Sequence, residues 1–156
     1  MVHGQWDGLN LAKCHVVSFT RRRSRISSIY QVGSTWTGRV NQVIDLGVFL
    51  TEKMDMNAHV NLVVSRALSV LGIVKRFSRG FNNQLVTKAL CCALIRPRLE
   101  YACAVWSPYQ STYLTKLESV QKKFVMFALP YRRDSTTYRL PPYNDRLNEL
   151  GLEPLW

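Results

Sequence analysis

The feature that most constrains this chain is a single change of hydrophobic period near residue 54. Before it, short β-branched and aromatic runs are separated by charged or turn-forming residues. After it, apolar residues recur at helical spacing almost to the C-terminus. One switch of this kind predicts an α+β chain in which strands come first and helices come after, each in its own segment.

Residues 14–20, Cys-His-Val-Val-Ser-Phe-Thr, read as a strand. Arg21-Arg22-Arg23-Ser24-Arg25 then interrupts with charge and reads as a loop or hairpin tip. The strand signal resumes at 29–32, with Gly33-Ser34 as a turn, and returns at 43–50 with Gly47 in the middle of the run. Past the switch, Val60, Val63, Val64, Ala67, Leu68, Leu71 and Val74 define a long amphipathic helix with Asn57 as its expected cap and Gly80 as its stop. A second helix is predicted over 83–95, kinked or ended by Pro97. Helix is also expected over 99–106, from about Ser111 with Leu114, Leu117, Val120, Phe124 and Phe127 on one side, and over 144–150. Lys116 and Lys123 share a different face of the Ser111 helix. A linker is expected around Pro141-Pro142. The domain boundaries read this way are 1–52, 53–130 and 131–156, and both chain ends are expected to be cut from something longer.

The chain has 156 residues, with 21 Lys+Arg against 10 Asp+Glu and a net charge of +11. At 47% hydrophobic residues it can bury a core, which excludes a disordered basic tail. The excess charge suits a polyanion as partner, nucleic acid first. The N-terminal residues form no signal sequence and no run of about 20 apolar residues occurs, so the expectation is an intracellular protein, nuclear or cytoplasmic, without a membrane partner. Cys14, Cys91, Cys92 and Cys103 have no metal-ligand spacing and read as reduced small hydrophobes, so no metal site is expected.

An ordered series of short motifs runs through the chain: Trp6-Asp7-Gly8-Leu9-Asn10-Leu11-Ala12-Lys13-Cys14, then Asp45-Leu46-Gly47-Val48, then Ala93-Leu94-Ile95-Arg96-Pro97 with Leu99-Glu100-Tyr101. Val105-Trp106-Ser107-Pro108 and Leu117-Glu118-Ser119-Val120-Gln121-Lys122-Lys123-Phe124 complete it. In this order they resemble the reverse transcriptases (RNA-directed DNA polymerases) of jockey-like non-LTR retrotransposons, over nearly the whole chain. The resemblance implies that residues 6–20 correspond to the end of a polymerase palm, 43–50 to a primer-grip hairpin, and 54–130 to a helical thumb and the start of the region after it. It also implies a template–primer duplex of RNA or DNA as partner and, in a complete enzyme, Mg2+ with deoxynucleotides; no small-molecule cofactor is expected in this chain itself.

Lys13 is the one candidate for chemistry. In the resemblance it takes the place of a lysine that would act as general acid toward the leaving pyrophosphate, a role that suits a side chain able both to attract phosphates and to deliver a proton. Nucleotidyl transfer further needs two metals held by carboxylates. This sequence has no Asp-Asp pair, and Asp7, Asp45 and Asp55 stand apart. The chain alone is therefore expected not to polymerise. The remaining role is a grip. Arg21, Arg22, Arg23 and Arg25 form a basic cluster; Leu46 and Gly47 lie in the primer-grip-like segment, where a glycine permits close backbone approach; Arg66, Lys75, Arg76 and Arg79 lie on the first helix; and Lys122 and Lys123 lie on the Ser111 helix. Each of these could equally be a solvated charge. Tyr101, Trp106, Phe124 and Phe127 fit either base stacking or a hydrophobic core. The alternative to the polymerase fragment is a stand-alone basic helical module that binds nucleic acid without catalysis, and a third is an interaction protein whose charge keeps it soluble.

Overall fold

A computed structural model describes residues 10, 13–22, 28–78, 80, 83–106, 110–129 and 141–155, with Gln84 by its backbone only. The chain is α+β and divides into two compact units, Met1–Met56 and Asn57–Trp156. The division falls four residues after the expected 52/53 boundary, and residues 141–155 belong with the helices.

Among its described residues the first unit holds two separate antiparallel hairpins. In one, β1 (Tyr30–Val32) pairs with β2 (Thr35–Thr37) across Gly33-Ser34, in register Gln31 to Trp36. In the other, β3 (Gln42–Asp45) pairs with β4 (Val48–Thr51), in register Ile44 to Phe49. The run over 43–50, strand-like by composition and a hairpin by the resemblance, folds as a hairpin, and Gly47 sits in its turn instead of mid-strand. Leu46 and Gly47 have φ of 45° and 82°, the left-handed pair that a two-residue hairpin turn requires because only that twist matches the strands. Among the described residues, 14–20 makes no strand. Its ladder is reduced to one parallel bridge, Val16 with Arg39, because an apolar run becomes a strand only where a neighbour supplies the other half of the hydrogen bonds.

The second unit is helical. The apolar stripe of α1 (Asn57–Phe77) buries Val60, Val63, Ala67, Leu71 and Val74, and α1 packs against α5 (Ser111–Ala128) and α3 (Arg96–Glu100). By length and apolar composition α1 would suffice to cross a membrane, a property the run of apolar residues alone had hidden. Its buried stripe faces the other helices.

Asn57 opens α1, and its side chain turns to Asn61 and Lys116. Asn83 caps α2 (Gln84–Leu90), its Oδ1 accepting the Leu85 N–H at 2.9 Å. The helix does not stop before Pro97. It widens into a π-turn at Cys91–Ile95, closed by the Arg96 N–H donating to the Cys91 carbonyl, and continues as α3 with Pro97 in its first turn. Proline lacks the N–H that a continuous helix would return to an upstream carbonyl, and the π-turn ending two residues before it is where that ladder changes register. The helix expected over 99–106 is broken: Tyr101 is extended, Ala102 is left-handed at φ 53°, and only α4 (Cys103–Trp106) resumes.

The Trp106 indole N–H donates to the Tyr101 carbonyl at 2.7 Å and its ring is 1% exposed. Trp106 and Phe124 are core, which settles two of the four aromatics against base stacking; Tyr101 is exposed and Phe127 half-buried. Finally α6 (Tyr143–Leu150) packs on α5 and ends at Gly151, left-handed at φ 59°.

Candidate nucleic-acid interface

The axes of α1 and α5 run parallel along one seam. At the N-terminal end, the Lys116 ammonium donates to Asn57 Oδ1 at 3.1 Å and Asn61 Oδ1 at 2.9 Å. At the C-terminal end, the Lys75 ammonium lies 5.5 Å from the centre of the Phe127 ring. Lys116, Lys123 and Phe127 fall at i, i+7 and i+11 on α5 and so share its α1-facing edge. Arg76, exposed, follows Lys75 on the outer side of α1. Three cations, Lys116, Lys123 and Lys75, therefore line one flank of the helix pair over a length of about 16 Å, at 1.5 Å rise per residue from Lys116 to Phe127; Arg76 points away from the buried stripe and stands off this flank.

Among the described residues of the two helices no carboxylate interrupts them. The sequence of α1 contains none and that of α5 only Glu118, which turns to the other side, where it accepts from the Tyr143 hydroxyl and from the Leu155 N–H. Glu100 is engaged by Arg96 at 2.8 Å. The aromatic faces along the seam are occupied by ammonium groups: Lys116 lies 5.9 Å from the Tyr113 ring centre, as Lys75 does over Phe127. A polyanion laid here would meet charge and amide groups, with no open ring to stack on.

The other expected residues do not join this seam. Arg66 stands nine positions from Lys75 on α1, about half a turn round the axis, on the side of His59. His59 is 1% exposed, sits edge-on to Trp106 at 5.0 Å, and is held below its ordinary pKa of 6.5 by burial and then by the Arg66 charge. Lys122 lies over the Tyr143 ring at 5.1 Å, on the α6 side of α5, and borders a cleft of about 340 Å³ lined also by Leu114, Thr115, Glu118 and Pro154. Burial, and then the Glu118 carboxylate, push the Tyr143 hydroxyl well above its usual pKa.

In the first unit, Lys13 is exposed on a single 3-10 turn, with its own N–H donating to the Asn10 carbonyl at 2.9 Å. Arg21 and Arg22 are exposed, and the Arg22 N–H donates to Thr20 Oγ1. Leu46 and Gly47 form the exposed tip of the β3–β4 hairpin. Arg23, Arg25, Arg79, most of 6–14, Ser107-Pro108, the segment 131–140 and Trp156 lie outside the described residues. Among the described residues no group of three or more His, Cys, Asp or Glu is placed to hold a metal ion. Cys91 is fully buried, its thiol pushed up to about 12 by that burial, which marks it as packing.

Lys116 is the seam residue whose role the sequence did not reveal. The available signal was its i, i+7 relation to Lys123. Comparison with family models, curated proteins and solved structures yields no match.

Proposed function

We propose that this chain is a duplex-gripping part of a reverse transcriptase of the jockey-like non-LTR type, and that alone it holds nucleic acid without copying it. The ordered motif series supports the family. The observation that carries the grip is the cationic seam of Lys116, Lys123 and Lys75 along α1 and α5, which among the described residues no carboxylate interrupts. Phosphates would displace counterions along it, giving affinity that is independent of sequence and falls steeply with salt. The lack of an Asp-Asp pair leaves no site for the two metals of nucleotidyl transfer, so a template–primer should be bound and not extended with Mg2+ or Mn2+.

The test is anisotropy of a labelled RNA–DNA duplex against salt. Three phosphate contacts correspond to a log–log slope of about −3. Replacing Lys75, Lys116 and Lys123 by Gln should flatten it by about that amount, while Arg66→Gln and Lys122→Gln should leave it nearly unchanged. An unaltered slope in the threefold variant removes the seam from the grip. Template-dependent extension by pure protein, abolished by a chelator, removes the non-catalytic reading altogether. The self-contained core of the helical unit favours a second reading, a stand-alone basic binding module. That module has no reason to prefer a primer terminus, so a junction bound no better than blunt duplex supports it.

A further inference from the structure

Beyond α6 the chain is held by side chains that take no part in the seam. Gly151 and Leu152 close α6 by donating to the Asn148 and Leu147 carbonyls, both at 2.9 Å, and Leu152 is buried. From there to Leu155 the segment has neither helix nor strand, yet its main chain is recognised from two other helices. The Glu153 carbonyl accepts from Gln121 Nε2 at 2.9 Å and from Arg96 Nη1 at 3.4 Å. The Leu155 N–H donates to Glu118 Oε2 at 3.1 Å. Pro154, between them, has no N–H to satisfy.

Each clamping group is itself fixed. Glu100 holds Arg96 through two hydrogen bonds, at 2.9 and 2.8 Å. The Tyr143 hydroxyl holds the other oxygen of Glu118, and Gln121 is 1% exposed. Such a preorganised set reading one carbonyl and one N–H, with a leucine on either side, is how grooves bind extended peptides. Pro154 fixes its own φ and biases Glu153 to extended backbone, so the segment loses little conformational freedom when it docks. One flank of the clamp is open. Glu153 and Pro154 are exposed, and Glu118 and Pro154 border the cleft of about 340 Å³.

We propose that the space between α3 and α5 is a peptide site for an extended Leu-x-Pro-Leu segment, that the chain's own Leu152–Leu155 is its resident ligand, and that this segment is a displaceable latch. The motif residues Arg96, Glu118 and Gln121 thereby have a function independent of nucleic acid.

Two measurements on the full chain test this. In wild-type protein the Leu155 amide should exchange at least tenfold more slowly than in the free pentapeptide Gly-Leu-Glu-Pro-Leu. Glu118→Ala should abolish that protection while the α1 amides around Leu71 keep theirs. Labelled pentapeptide should bind a chain carrying Leu152→Asp and Leu155→Asp at least tenfold more tightly than wild type, and adding Glu118→Ala with Gln121→Ala should remove the gain. Free-peptide exchange at Leu155 in wild type, or peptide binding indifferent to Glu118 and Gln121, overturns the proposal. Should the double aspartate variant fail to fold by circular dichroism, the exchange experiment decides on its own.

Discussion

The two units of this chain solve the same problem with unequal success. Among the described residues, the helical unit takes Trp106, Phe124, Ile95, Leu99, Leu117 and Leu147 below 2% exposure, whereas the hairpin unit fully buries Val48 alone. Ile29, Tyr30, Trp36, Ile44 and Leu46 stay exposed in the hairpin unit. The difference is one of geometry. A helix satisfies its own backbone and needs only a facing stripe, which α1, α3 and α5 supply to one another. A two-stranded hairpin leaves both edges and at least one face unfinished, and in isolation is marginal in water.

The comparison can be broken most directly by amide exchange. Core amides of α1 and α5 should exchange more slowly than those of β1–β4 by roughly three orders of magnitude or more, as global and local opening differ. Equal protection in a monomer would mean that the hairpins have a complete core of their own.

A second contrast is energetic. Phe124→Ala should cost about 3–5 kcal/mol in chemical denaturation. Trp36→Ala, of similar bulk but exposed, should stay within about 0.5 kcal/mol.

The helical unit also carries a dependence on pH. His59 titrates below its ordinary 6.5 in the folded state, so below that pH the unfolded chain binds more protons. Stability is then held at neutral pH and declines as pH falls below 6.5. Melts of wild type between pH 7 and 5 should show the decline, and His59→Gln should flatten it.

The smallest effect belongs to the hairpin tip. Leu46 holds a left-handed φ of 45°, which costs a non-glycine residue about 1–2 kcal/mol and asparagine less. Leu46→Asn should therefore stabilise β3–β4 by up to about 1 kcal/mol, read as slower exchange in that hairpin alone.

How legible each unit was in the sequence depends on the same physics. The i, i+3, i+4 pattern exposed α1 and α5 because helical order is local. Residues 14–20 looked like a strand by composition, but pairing is decided by a partner that composition does not name. The Thr-Trp-Thr of β2 is too short to signal anything until Gly33-Ser34 folds it onto β1. Of the interface, Lys75 and Lys123 were visible as charges. That Arg66 and Lys122 diverge from them becomes clear once α1 and α5 have a common seam. Arg96, Glu118 and Gln121 stood out as motif residues, but their shared target lies more than thirty residues further along the chain, beyond the reach of any local pattern.

The π-turn at Cys91–Ile95 has a consequence for how this chain can change in length. Thr87, Cys91, Ile95 and Leu99 are all buried at strict intervals of four, a spacing that would wind off the contact face of a regular α-helix at 3.6 residues per turn. The wider turn absorbs the surplus and keeps the row in phase. The segment thus stores one residue of slack. Deleting the exposed Leu94 would let the i→i−5 bond become an ordinary i→i−4 bond, with Ile95 and Leu99 close to their present places. A one-residue deletion is absorbed here, where elsewhere in the helix it would be a change of phase.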